Sequence, residues 1–196
     1  MTLPTLAELT AVLPLRTERL VLRPGTPDDV DAVLAYCSRD DVTRYLPFGV
    51  LDRDGVEARV ERWRADLDRE PSADPDRAWM MTLVAELDGA VVGDVMLRVP
   101  GGERRTVAEL GYVFSPAVAG RGLATEAARA VVDLAFGLFG CHRVHAQLDP
   151  RNTASARLLE RLGMTHEAHL RRDWWGKGAW SDTAVYGLLR EEWTAR

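Results

Sequence analysis

The sequence has almost no lysine: Lys177 is the only one, and every other basic side chain is an arginine. That bias reflects composition and carries no functional signal. A basic excess is also missing, since 30 acidic residues face 25 basic ones for a formal net charge of -5. This argues against a general nucleic-acid coat. A mildly acidic surface suits cationic or amine ligands, but only weakly. Cysteine is scarce. Cys37 and Cys141 lie far apart with no C-x-x-C and no paired spacing, as expected for reduced, partly buried thiols in a cytoplasmic protein. The opening MTLPTLAELT has no basic region and carries an early proline and glutamate, so a secretory signal is not expected. No apolar run approaches the roughly 18 residues of a membrane helix. The best stretch, AVVDLAFGLFG, is broken by Asp133. Repeats and low-complexity tracts are absent.

What is present is an ordinary globular composition, 46% hydrophobic and 28% charged over 196 residues. A chain this long buries roughly 70% of its unfolded surface and needs no disulfide or metal. Residues 1–15 form a lead-in, and 16–196 read as one domain. A first strand, RLVLRP at 19–24, ends at Pro24-Gly25. Thr26, Pro27 and the acids after them then start a helix. A charged helix follows over about 54–70, with Val56, Val60, Trp63 and Leu67 on one stripe. AWMMTLVAEL and AVVGDVMLRV form a hairpin about Asp88-Gly89. TVAELGYVF at 106–114 is a third successive strand. A helix over 123–139, a strand over 142–148, a helix over 152–163 and closing strands near 164–172 and 180–189 complete the order. Strand–helix–strand units beside hairpins imply an α/β (mixed α+β) fold with helices on the faces of a mixed sheet.

The segment SPAVAGRGLATEAAR is the most informative. Gly120 and Gly122 stand just before a helix N-terminus, where unpartnered amides and the helix dipole attract anions. Glycines let backbone N–H groups close on a phosphate or pyrophosphate, and Arg121 adds charge. By itself the segment is either such a cradle or a glycine-rich turn. A triphosphate loop would need a Lys-Ser/Thr pair, which is absent. A dinucleotide fold would need the first glycine directly after a strand, whereas Ser115 to Ala119 intervene. The second constellation is DPRNTASARLLERLGM. Asn152 suits an N-cap and Gly163 a C-terminal stop, while Asn152, Ser155, Leu158, Leu159 and Leu162 share one flank.

Together these segments resemble the GNAT superfamily of acyl-CoA-dependent N-acyltransferases, and within it the ribosomal-protein N-terminal-alanine acetyltransferases of the RimJ/RimL type. The resemblance runs from RLVLRP to VYGLLREEW. The family's pyrophosphate motif, Q/R-x-x-G-x-G/A, reads here Ala119-Gly120-Arg121-Gly122-Leu123-Ala124, with Ala119 in place of the polar residue. The resemblance implies a mostly antiparallel sheet of about seven strands, splayed in the middle and flanked by about four helices. It implies acetyl-CoA as co-substrate and no metal. Tyr112, Val113, Phe114, the cradle Ala119, Gly120, Arg121, Gly122, Leu123, Ala124 and Thr125, and then Asn152, Ser155 and Leu158, would bind the donor. Its pantetheine arm would add to the free edge of a strand.

Acyl transfer to an amine needs positioning, proton removal and donors for the oxyanion. Some relatives carry a basic glutamate on the strand holding Glu109. Partial burial there would raise its pKa, and a salt-bridged glutamate is the alternative. The Val113 N–H is the candidate oxyanion donor. Many members place a tyrosine seven residues after the helix asparagine, but here that position is Leu159. Ser155 matches the RimJ/RimL-like serine, either protonating the leaving sulfur or only binding. His142 and His145, like His166 and His169, are three apart in strands, which separates their rings and marks them as surface or core histidines. Trp174, Trp175 and Trp180 would wall the acceptor pocket, pack the core or form a homodimer contact. The implied reaction moves acetyl to a primary amine, a protein N-terminus or a small amine, by direct attack in a ternary complex. An antibiotic or polyamine acceptor, or a non-catalytic CoA sensor, are the alternatives. Neither nucleic acid nor membrane is an expected partner.

Overall fold

Caps and hydrophobic periodicity account for most element boundaries. A computed structural model describes residues 4–69, 78–100 and 106–194. The lead-in holds a helix, α1 (Leu6–Val12), whose start is fixed by reciprocal capping between Thr5 and Glu8. The Thr5-x-x-Glu8 spacing is the sequence signal for it. Next come β1 (Leu15–Arg16), β2 (Val21–Pro24), α2 (Val30–Cys37), α3 (Asp40–Thr43) and α4 (Arg53–Leu67). The central run is β3 (Trp79–Leu87), β4 (Ala90–Val99) and β5 (Val107–Phe114). The chain closes with α5 (Leu123–Gly137), β6 (Arg143–Leu148), α6 (Thr153–Leu162), β7 (Thr165–Gly176), β8 (Ala179–Leu189) and α7 (Arg190–Thr194).

The strands form one sheet in the order β1-β2-β3-β4-β5-β6-β8-β7. Every neighbouring pair is antiparallel except β5–β6. This is the expected mixed, mostly antiparallel sheet. The expected counts of strands and helices were lower because β1 has two residues and α1, α3 and α7 are short. Elements of that length bury too little to leave a periodic pattern.

Helices cover both faces, and each face has its own core. Leu83, Ala85, Val95, Leu97, Ala108 and Leu110 pack with Val131, Leu158 and Leu162 of α5 and α6. Val84 and Val113 point the other way, into Val33, Tyr36, Val56, Val60 and Trp63 of α2 and α4. Burial on both faces explains why β3 reads as a continuous apolar run. The alternation also sorts β5: its even residues face α5 and α6, and its odd residues face the opposite side.

Two hairpins turn on adjacent left-handed residues, Asp88-Gly89 (φ 51° and 82°) and Lys177-Gly178 (φ 53° and 77°). Such two-residue turns suit the twist of antiparallel strands. The second turn corrects the expected boundary: Trp174 and Trp175 lie on β7 and Trp180 on β8, not in a connection between shorter strands. The Lys177-Gly178 dipeptide is the sequence signal for this turn.

Candidate active site

Pairing between β5 and β6 lasts for three residue pairs, Val107–Arg143, Ala108–Val144 and Glu109–His145. Beyond them β5 runs on to Phe114 against β4, while β6 runs to Leu148 against β8. The two strands therefore part after Glu109 and His145, leaving one edge of β5 unpaired. The ladder fixes which groups look into this gap. The Ser115 N–H donates to the Val92 carbonyl across the β4 edge at 2.8 Å. Val113 opposes Asp94 two residues earlier, so its N–H also turns toward β4. The Tyr112 and Phe114 amides face the gap instead. This corrects the expectation that the Val113 N–H serves as oxyanion donor; its side chain, too, lies in the α2/α4 core.

Past Phe114 the chain reaches the cradle. Gly120 and Gly122 have φ of +76° and +77°, and Gly122 caps α5 with no side chain closing the helix end. A Cβ at Gly120 would meet nothing within 4 Å, and one at Gly122 only the Arg19 guanidinium at 3.7 Å. Glycine is required by backbone conformation, and the space before the amides is open. Thr125 Oγ1 in the same turn is buried without a hydrogen-bond partner. An orphan hydroxyl beside uncapped helix amides fits a phosphate group.

A clamp invisible to sequence reasoning holds the cradle from behind. The Arg19 Nη1 donates to the Arg121 carbonyl at 2.9 Å, and its Nη2 pairs with Glu126 at 2.6 Å. The Thr17 hydroxyl and the Arg19 amide also donate to Glu126, at 2.6 and 2.8 Å. Burial pushes the Glu126 carboxyl up, but these bonds outweigh it and hold it below the usual carboxylate range. One carboxylate thus ties the strand-entry segment to the first turns of α5.

The gap and the cradle open into one cleft of about 820 Å³. Every residue expected to bind the donor lines it: Tyr112 to Phe114, Ala119 to Thr125, Asn152, Ser155 and Leu158. Asn152 caps α6, its Oδ1 accepting from the Ser155 N–H at 3.1 Å. Sequence reasoning did not single out Asp41, Val42, Tyr45 and Leu46, which also line it, nor Arg161, which adds a cation from α6.

The tyrosine that Leu159 does not provide comes from β5. Leu159 is core, whereas the Tyr112 hydroxyl lies 2.6 Å from Ser155 Oγ. Burial pushes the Tyr112 phenol up to about 12, against the pull of its bond to Ser155. It therefore keeps its proton at neutral pH. Glu109 lies on the other face of the sheet, at the apex of the gap and outside the cleft lining. Arg98 pairs with it at 3.2 Å, so the salt-bridged alternative is the one the strand adopts.

On that same side the β7–β8 hairpin is tied down by Lys177, whose Nζ donates to the Thr43 and Arg44 carbonyls at 2.6 and 3.3 Å. Trp174, Trp175 and Trp180 are at least half exposed. Trp175 and Trp180 pack at 5.3 Å between ring centroids. Core packing is thereby excluded for them.

A mixed sheet parted between two parallel strands, with an anion cradle at its mouth, is the architecture of an acyltransferase fed by a thioester donor. The chain belongs to the acetyltransferase (GNAT) domain family, which it matches over residues 19–165. It is 28% identical over 177 residues to the uncharacterised N-acetyltransferase YnaD of Bacillus subtilis, covering 90% of this chain and 97% of that one. A GNAT-family acetyltransferase from Bacillus anthracis superposes with a TM-score of 0.77 at 29% identity, over 90% of this chain and 98% of that one. RimJ of Mycobacterium smegmatis, solved with a CoA disulfide, superposes with a TM-score of 0.75 at 25% identity, over 88% of this chain and 83% of that one. Among the described residues no helix is long and apolar enough to cross a membrane.

Proposed function

We propose that the protein moves an acetyl group from acetyl-CoA to a primary amine, by direct attack of the amine in a ternary complex. The observation that carries this reading is the parting of β5 from β6 after Glu109–His145, which turns the Tyr112 and Phe114 amides toward a cleft ending at the Gly120–Gly122 cradle. The amides of the first turn of α5 and the Thr125 hydroxyl would hold the diphosphate. The pantetheine arm would bond the β5 edge as an added strand does, and the Asn152 amide group would assist. From Phe114 back to Glu109 is five residues, about 17 Å of strand, enough to bring the thioester end to the apex.

There the two faces of the sheet divide the work. On the α5/α6 side the Tyr112 and Ser155 hydroxyls supply a proton, or a hydrogen bond, to the departing sulfur. On the opposite side Glu109, held by Arg98, provides the carboxylate that draws an ammonium to the apex. The nitrogen bonds the acyl carbon, the C–S bond breaks, and the amine's two lost protons end on the thiol and in solvent. The acceptor is a peptide N-terminus or a small amine, entering beside α3 and the β7–β8 hairpin.

A thiol-release assay with acetyl-CoA and a panel of N-terminal peptides, polyamines and aminoglycosides tests the reading. Turnover on any of them is the expected result. Tight CoA binding with no turnover would make the protein a CoA sensor instead.

A further inference from the structure

Two titratable side chains flank the apex, and the mechanism above uses one of them. His145 is the register partner of Glu109 in the last pair before the strands part. Val144 and Ala146 turn into the α5/α6 core, so His145 projects from the opposite face. Ala108 and Leu110 do the same for Glu109. Partners on adjacent strands are about 4.8 Å apart at the backbone, so imidazole and carboxylate stand side by side on the face from which an acceptor approaches.

The other neighbours of His145 are also defined. Across β8 its partner is Gly187. An added Cβ there would run into the Arg143 guanidinium and the Glu167 carboxylate, so that ion pair lies over Gly187. Arg98 stands beyond Glu109 on β4. Among the described residues no hydrogen bond or ion pair engages the imidazole itself, although charged groups surround it. Glu109, by contrast, has one oxygen on Arg98. A half-buried ring with free nitrogens, beside a carboxylate already paired with a cation, is the better placed of the two to take a proton.

We propose that His145 is the proton acceptor of the acyl transfer, with Glu109 as its positioning charge partner. The inference rests on the transferase reading and deepens it. The imidazole takes one proton from the acceptor ammonium, the freed amine forms the C–N bond, and the C–S bond breaks. The second amine proton leaves as the thiolate is protonated, and the imidazolium discharges to solvent. Burial, the largest influence, holds the imidazole below its usual range. Glu109 pulls it up, Arg143 and Arg98 push it down, and Glu167 pulls it up. A neutral base at pH 7 is the form the chemistry requires. Without Glu109 the imidazolium loses its charge partner, and the titration moves lower still.

The test compares wild type, His145→Gln and Glu109→Gln in the full chain, with an acceptor found in the thiol-release panel. His145→Gln is expected to lower kcat about 100-fold while CoA affinity stays within about twofold. The acidic limb of the kcat/KM profile, with its midpoint below about 6.5, should disappear, leaving the limb set by the acceptor amine. By NMR, the His145 resonance should titrate below its usual midpoint in wild type and lower again in Glu109→Gln. A His145→Gln enzyme with the wild-type pH profile and kcat would overturn the assignment while leaving the transferase reading intact. Failure of the wild-type chain to turn over any amine would sink both.

Discussion

The donor side and the acceptor side proposed for the gap are built from different materials. The donor side is made of backbone: the Tyr112 and Phe114 amides on an open edge, and the first-turn amides of α5 behind two left-handed glycines. The acceptor side is made of side chains: Glu109 on Arg98, His145, and three exposed tryptophans on a two-stranded arm pinned by Lys177. Backbone sites tolerate sequence change at most positions but fail abruptly where a special conformation is needed. Side-chain sites retune position by position. The comparison predicts all-or-none effects on donor binding and graded effects on acceptors.

The largest effect belongs to Gly122. Gly122→Asp puts a carboxylate against the anion site, and CoA affinity measured by calorimetry should fall more than about 100-fold, near 3 kcal/mol. Gly122→Ala separates strain from charge. Its φ of +77° costs about 1–2 kcal/mol in an L-residue, while its Cβ meets only Arg19 at 3.7 Å. It should bind at least tenfold more tightly than the Asp variant. Equal affinities in the two variants would show that charge at the cradle is irrelevant and that the donor lies elsewhere.

Next in size is the hydroxyl pair on the helix side. Tyr112→Phe removes the O–H near Ser155 while keeping the ring that packs against the core. A fall in kcat of about 10- to 100-fold with little change in KM for acetyl-CoA is expected. Ser155→Ala alone should cost less, because the tyrosine hydroxyl remains. If both variants keep kcat and only raise KM for the donor, the pair binds and does not protonate. That outcome would make the acid side of the reaction a matter for water.

The cradle clamp should give a smaller effect that pH can reveal. Glu126→Gln leaves the helix amides in place but loosens Arg19 and Thr17. CoA affinity should weaken about five- to tenfold, with a lower melting temperature at pH 7. Because the folded carboxyl is held below its unfolded value, its stabilising contribution is present above about pH 4 and lost as pH falls through the folded pKa. The melting-temperature gap between wild type and Glu126→Gln should therefore close in acid. A constant gap would mean the glutamate acts by shape alone.

The same division explains what could be read from the sequence. Helix caps, the Asp88-Gly89 hairpin and the two cradle glycines are local, and their conformations are set by adjacent residues. All of the expected donor residues converge on one cleft for that reason. The Arg19–Glu126 clamp joins positions 107 apart, and the Glu109–His145 pairing depends on two distant strands meeting in parallel. No window of sequence contains either. Glu109 stands out in the sequence as an acid in an apolar strand, but its guanidinium partner sits across a ladder that the sequence does not announce. His145 reads as an ordinary strand histidine because the role proposed for it depends on where the pairing stops.

The smallest effect should fall on the acceptor side, and it separates the two halves most sharply. Beyond Leu170 and Thr183 the β7–β8 ribbon pairs with no third strand among the described residues, since β6 ends at Leu148 opposite Ala184. A two-stranded ribbon is marginal in water on its own. Lys177 supplies one of its ties to the body, through hydrogen bonds to carbonyls at the end of α3, next to the cleft-lining Tyr45 and Leu46. Lys177→Ala should leave CoA affinity unchanged and raise the acceptor KM about two- to fivefold. It should lower stability by less than about 1 kcal/mol, because the donor group is exposed. Trp175→Ala, which also removes the Trp180 contact, should shift the preference among acceptors in the panel without touching the donor. If either variant weakened CoA binding as much as it raised the acceptor KM, the two sides of the gap would be coupled through the hairpin.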